Sequence, residues 1–266
     1  MNIVNLKDLT AQDILAIWAL AKQPPQRCDG TVAWSFEGNG IRTRTTFIQA
    51  FGQLGLPFIE LPNLLKSQER PVDLAGYLDP FYSLYVIRES NHQRLEAFAQ
   101  ASSRPVVNAM SAMGHPCEVL ADGFYLHAEF GDIRKTTIGL WGPLTNVMRS
   151  WHELAEALGM VIVHFCGQDL HTVNPHVSWS DVADRPVDVL ITDSWPAGFT
   201  DAQWSLTEDH LRQLGNPLLL PTPPFFIGES VSVDPVGYAG FVGYEQKSAL
   251  LRVQRAIVEY ALRAAR

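Results

Sequence analysis

Cysteine and positive charge are what this sequence has least of. Three cysteines occur in 266 residues, Cys28, Cys117 and Cys166, and no pair stands at a metal-binding spacing. A sparse, odd set excludes a disulfide scaffold and suits a reducing compartment, so a cytoplasmic protein is expected. Lys and Arg number 20 against 28 Asp and Glu, a formal net charge of −8. That sign argues against nucleic acid as a partner, and any phosphate contact has to be local. The opening MNIVNLKDLT contains no long apolar run, so neither a secretory signal nor a membrane span is expected. Internal repeats are absent, and so is a Gly-x-Ser-x-Gly elbow for serine hydrolysis. Gly139-Leu140-Trp141-Gly142 is not a dinucleotide fingerprint, and no cofactor is expected. His164, Cys166, Asp169, His171 and His176 crowd one segment at no standard ligand spacing, so no metal is expected either.

What is present is a globular composition, 47% apolar and 18% charged, with enough chain for one large domain or two. Thr10 with Asp13 reads as a capping box opening a helix whose apolar face is Ile14, Ile17, Trp18 and Ala21. Short apolar runs then alternate with helical periodicity. Strands are expected at 32–36, 56–61, 83–88 and 105–108, with helices beginning near Glu69, over 93–101 and over 116–130. A second series places strands at 135–142, 160–165, 187–192 and 217–220, and helices at 146–158 and 246–264. Gly237 to Gly243 reads as a mobile loop. Such alternation predicts an α/β fold of two doubly wound parallel-sheet domains. The expected division is 1–131, with the last helix packing back on it, and 132–245.

One stretch carries chemistry. Trp34 and Phe36 end a buried strand, Glu37-Gly38-Asn39-Gly40 is a turn, and Phe47, Ala50, Phe51 and Leu54 mark one helical face. Strand, glycine turn and helix leave N–H groups and the positive dipole end facing outward, an anion site. Arg42, Thr43 and Arg44 occupy that helix start, where basic residues are unfavourable unless an anion is bound. Arg88 ends a later strand, at the edge where α/β ligand crevices form. His115 precedes Pro116, a helix-start proline.

FEGNGIRTRTTF resembles the F-x-x-x-S-x-R-T-R-x-S-F phosphate motif of the aspartate and ornithine carbamoyltransferase family. His115-Pro116-Cys117-Glu118 with Leu120-Ala121-Asp122 resembles that family's H-P-x-Q-x-L-A-D. The resemblance runs from the first helix to the last. It implies transfer of a carbamoyl group from carbamoyl phosphate to an amino-acid amine, without cofactor or covalent intermediate. Gly40, Ile41, Arg42, Thr43, Arg88, His115 and Glu118 would meet carbamoyl phosphate, with Arg42, Arg88 and His115 catalytic. Asn146, Asp193, Ser194, Thr222 and Pro223 would meet the acceptor. Thr192-Asp193 resembles the ornithine enzyme's T-D-x-W, which leans the acceptor towards ornithine or a related cationic amine. The family also implies a homotrimer with sites between subunits, and a role in arginine biosynthesis.

Several positions depart from the family pattern. Gly40 stands for a serine, Glu118 for the glutamine, Thr222 for a cysteine and Leu250 for a late arginine. Ser67 stands for the lysine of a loop that reaches into the neighbouring subunit, with Lys66 beside it. The loop after Asp193 is curtailed to Pro196-Ala197-Gly198. Three readings follow: an ornithine-type transferase, a transferase with another acceptor, and a non-catalytic anion-binding or regulatory protein.

Overall fold

The computed structural model describes residues 1–264, and these form two compact units. The first comprises Met1–Phe124 together with the segment from Ser248; the second is Tyr125–Lys247.

In the first unit, α1 (Ala11–Ala21) starts on the Thr10–Asp13 capping box. Then follow β1 (Val32–Phe36), α2 (Ile41–Leu54), β2 (Phe58–Glu60) and α3 (Pro71–Leu78). After these come β3 (Leu84–Arg88), α4 (His92–Ala101), β4 (Val106–Met110) and α5 (Pro116–Phe130), which from Tyr125 on is counted with the second unit. The four strands are parallel, in the order β2-β1-β3-β4. Their apolar composition follows from helices covering both faces, which leaves β1 buried along its whole length. One face packs Trp34 against Phe36, Phe47 and Phe51, with ring centroids 4.6–5.6 Å apart. The other packs Tyr85, Ile87, Leu95 and Phe98.

Two differences from expectation have simple causes. The strand predicted at 56–61 shrinks to β2, whose three residues are exposed, because it lies at the sheet edge with one neighbour. Gly243 does not belong to a loop; it opens α8 (Gly243–Arg263), whose buried Val253, Ile257 and Val258 supply the apolar face. From Ser248 on, α8 belongs to the first unit. There Arg255, only 4% exposed, sends Nη2 to the carbonyls of Leu20 (3.0 Å) and Gln23 (2.6 Å), capping the end of α1.

The second unit contains β5 (Ile138–Trp141), α6 (Asn146–Leu158), β6 (Ile162–Phe165), β7 (Val177–Ser180), β8 (Val189–Thr192), α7 (Glu208–Gln213) and β9 (Leu218–Pro221). Its parallel order is β7-β6-β5-β8-β9. Trp141, Phe165, Leu190, Trp204 and Leu219 form a core there. No helix among the described residues is long and apolar enough to cross a membrane.

Each sheet has one point where successive strands turn from one direction to the other. In the first unit it lies between β1 and β3, whose ends are level because Phe36 pairs with Arg88. In the second it lies between β5 and β8, where Trp141 pairs with Thr192. The crevice beyond such a switch is where open α/β sheets take ligands.

Candidate active site

The switch point of the first sheet holds the arginine turn. Gly40 is the N-cap of α2 with φ +24, and Arg44 N closes the first turn on Gly40 O at 2.9 Å. A Cβ on Gly40 would stand 2.4 Å from the Phe36 ring and 2.7 Å from Arg88 Nη1. The missing side chain therefore lets the Arg88 guanidinium lie against the start of the helix, 5.3 Å from the centre of the Phe36 ring. Burial lowers the Arg88 pKa; the Glu37 carboxylate opposes that shift and the Arg42 guanidinium adds to it. Two guanidinium groups thus come within electrostatic reach of each other. Among the described residues neither Arg42 nor Arg88 is paired with a carboxylate, whereas Arg44 binds Glu60 Oε1 through both terminal nitrogens at 2.8 Å. Arg44 is thereby ion-paired, with its guanidinium 5.4 Å from the centre of the Phe36 ring; Thr43 is buried, and Ile41 is exposed.

Glu37 belongs to the turn and Lys66 to the loop named above, but no motif foretells their shared contacts with Ser90 and Glu89. Ser90 N donates to Glu37 Oε2 at 2.6 Å, and Ser90 Oγ donates to Glu37 Oε1 at 3.2 Å. Lys66 Nζ reaches Glu89 Oε1 at 2.6 Å, Glu37 Oε1 at 3.1 Å and Ser90 Oγ at 3.2 Å. Sequence gives one signal for them: Glu37 and Glu89 each follow the end of a strand, at Phe36 and Arg88.

His115 and Glu118 head α5, both buried. The loop that delivers them is fixed from within: Asn108 Nδ2 donates to Ser111 Oγ at 3.2 Å, and Gly114 N donates to the same oxygen at 3.1 Å. Ala112 N donates to Ser90 O at 3.3 Å, which ties that loop to the segment after Arg88.

In the second unit, Thr145 caps α6 by accepting from Met148 N at 3.3 Å and so places Asn146 on the first turn. Asp193 follows β8 and is buried; burial pushes its carboxyl up to about 6, against hydrogen bonds from Thr145 and Ser194. Ser194 N donates to it at 2.8 Å. Thr222 N donates to Thr192 O at 2.8 Å, and among the described residues the two buried threonine hydroxyls find no partner. Pro223 follows, half-buried. Asn146, Asp193 and Thr222 thus lie at the carboxyl ends of β5, β8 and β9.

The histidine-rich segment has a packing role. His164 Nε2 donates to Gly142 O at 2.9 Å, and His164 Nδ1 lies 2.9 Å from His152 Nε2. Trp179 stacks on both His164 and His171. Among the described residues no group of three or more His, Cys, Asp or Glu could hold a metal ion.

Residues 1–128 match the aspartate/ornithine carbamoyltransferase, carbamoyl-P binding domain. The ornithine carbamoyltransferase of Cupriavidus taiwanensis is 30% identical over 260 residues, covering 88% of this chain and 84% of that protein. The chain belongs to the aspartate/ornithine carbamoyltransferase family. The ornithine carbamoyltransferase of Methylobacillus flagellatus is 29% identical over 261 residues, 88% of this chain and 85% of that one. In fold, this family member is similar to the ornithine carbamoyltransferase of Burkholderia thailandensis, with a TM-score of 0.88 and 23% identity over 98% of each chain. The anabolic enzyme of Campylobacter jejuni gives a TM-score of 0.86 at 24% identity, over 100% of this chain and 99% of that one.

Proposed function

We propose that this protein transfers the carbamoyl group of carbamoyl phosphate to the amine of an amino acid, with ornithine or an ornithine-like acceptor as substrate. The observation that carries the reading is the Arg42–Arg88 pair, two guanidinium groups within electrostatic reach of each other at a sheet's switch point and, among the described residues, neither of them ion-paired with a carboxylate. Like charges brought together in this way are stabilised by a bound anion, and a phosphate matches guanidinium donors.

The first unit takes carbamoyl phosphate. Arg42, Thr43 and the helix start hold the phosphate, and Arg88 neutralises charge as it leaves. His115 donates to the carbonyl oxygen, where negative charge develops. The acceptor's neutral amine attacks the carbonyl carbon; the C–N bond forms, the C–O bond to phosphate breaks, and the attacking nitrogen gives up a proton. The second unit takes the acceptor through Asn146, Asp193, Ser194, Thr222 and Pro223. An ionised Asp193 complements an α-ammonium group. The protein works as a cytoplasmic homotrimer in amino-acid metabolism.

A second reading keeps the reaction and changes the acceptor. It is favoured by Glu118, which puts a buried carboxyl where the family has an amide. A carboxylate beside a phosphate is unfavourable unless a cationic amine meets it.

Calorimetric titration with carbamoyl phosphate, followed by an assay of ureido product across an amine panel, tests the reading. Binding lost in Arg42→Ala and a product with ornithine are expected. A product only with another amine supports the second reading, and binding without any product leaves a non-catalytic anion-binding protein.

A further inference from the structure

Glu37 faces Arg88 and Glu89 follows it in the chain, and carboxylates are the wrong sign for a site that takes a dianion. Glu37 is close enough to Arg88 to oppose the fall in its pKa, and Glu37 N donates to Arg88 O at 3.0 Å. Glu89, next along the chain from Arg88, has a side chain only 2% exposed. Left alone, Glu37 would act as an internal anion and compete with any phosphate for the guanidinium groups.

Lys66 meets both. Its ammonium carries three donors, and three oxygens surround it: Glu89 Oε1 at 2.6 Å, Glu37 Oε1 at 3.1 Å and Ser90 Oγ at 3.2 Å. All three donors have acceptors, so this ammonium is not a direct anion ligand. We propose that Lys66 is the counter-charge that makes the arginine turn an anion site, holding Glu37 and Glu89 away from Arg88 in one cluster whose charge it cuts from −2 to −1. The idea rests on the anion-site reading above and gives it a positioning residue supplied by the same chain. With Lys66, the five charges Arg42, Arg88, Lys66, Glu37 and Glu89 leave the mouth of the site positive by one; without it the mouth is neutral.

The loop that carries Lys66 is anchored by other residues. Arg94 Nη2 donates to Ser67 O at 2.7 Å and to Glu69 O at 2.6 Å, while Leu64 N donates to Ser35 Oγ at 3.2 Å. Removing the ammonium therefore changes the charge of the site and leaves the path of the loop in place.

The experiment is calorimetric titration of inorganic phosphate into the full chain at two salt concentrations, with thermal unfolding as a check on folding. Lys66→Met is expected to weaken phosphate binding roughly tenfold at low salt, the size of one unit-charge interaction over about 12 Å at an effective dielectric constant of about 20, and less at high salt. Lys66→Arg is expected to stay within about threefold of the wild type, because the charge is kept. In a Glu37→Gln/Glu89→Gln background the same Lys66→Met change is expected to cost less than about threefold, since the charges it neutralises are gone. A purely structural lysine would not show that rescue. Unchanged binding in Lys66→Met, or an equal loss in the glutamine background, overturns the inference alone. Absence of phosphate binding in the wild type overturns the anion-site reading and this inference with it.

Discussion

Gly40 and Arg88 touch: a Cβ on the glycine would come within 2.7 Å of the arginine's Nη1. The family's serine at this place would also have to adopt φ +24, a backbone region that costs a residue with a side chain about 1–3 kcal/mol. Restoring the family residue with Gly40→Ser is therefore expected to harm the protein. It should lower the unfolding free energy by about 1–3 kcal/mol and push Arg88 off the helix start, weakening phosphate binding. Denaturant unfolding and calorimetry on the variant check both; tighter binding would mean that the hydroxyl outweighs the displaced guanidinium.

The two arginines of the turn should behave oppositely. Arg42→Ala is expected to lower carbamoyl transfer by about 100-fold or more, the usual size for losing a charge-stabilising donor in an active site. Arg44→Ala breaks an ion pair with Glu60 whose partners are 33% and 40% exposed. It should cost less than about 1 kcal/mol of stability and little activity. Steady-state rates for both variants decide; an equal loss would make Arg44 part of the site.

Asp193 gives the stability a pH signature. Burial raises its pKa from an ordinary value of 3.8 to about 6, so the folded state holds a proton that the unfolded state has released. Its contribution is thus greatest below about pH 4 and is lost as pH rises to about 6. Asp193→Asn is expected to be more stable than the wild type by about 3 kcal/mol at pH 7, converging with it near pH 4. Parallel unfolding curves at the two pH values measure this. In the enzyme assay, the KM for a cationic acceptor should fall as pH rises through about 6, since only the ionised carboxylate pairs with an ammonium.

His152 and His164 act in the other direction. Burial lowers both pKa values, so both rings stay neutral in the fold while the unfolded chain takes up protons. Their contribution is full above about pH 6.5 and is lost as pH falls below it. Replacing His152 by Phe should flatten the loss of stability between pH 7 and pH 5, and an unchanged slope would exclude the pair as its source.

The candidate site is legible in the sequence where chain neighbours form it and opaque where distant residues do. The turn from Glu37 to Gly40, Arg42 and Thr43 lie within one strand–turn–helix unit, and Phe47, Ala50, Phe51 and Leu54 announce the helix by period. Arg88 is legible as the end of a buried strand. Lys66 is not, because its role depends on Glu89, 23 residues away, and on Glu37. Val177–Ser180 is a short strand at a sheet edge with two half-buried members, which gives little apolar signal. α7 is only six residues long, and its capping box uses His210 in place of the usual Glu or Gln.

The first unit is discontinuous in sequence, since Arg255 of α8 supplies the donors that cap the end of α1. During synthesis, every residue of the second unit leaves the ribosome before that cap exists. Until Arg255 is made, the carbonyl of Gln23 lacks that donor, while Leu20 O is met within its own turn by Gln23 N at 3.0 Å. A circular permutant that begins at Ser248 would bring cap and helix out together and shorten that vulnerable interval.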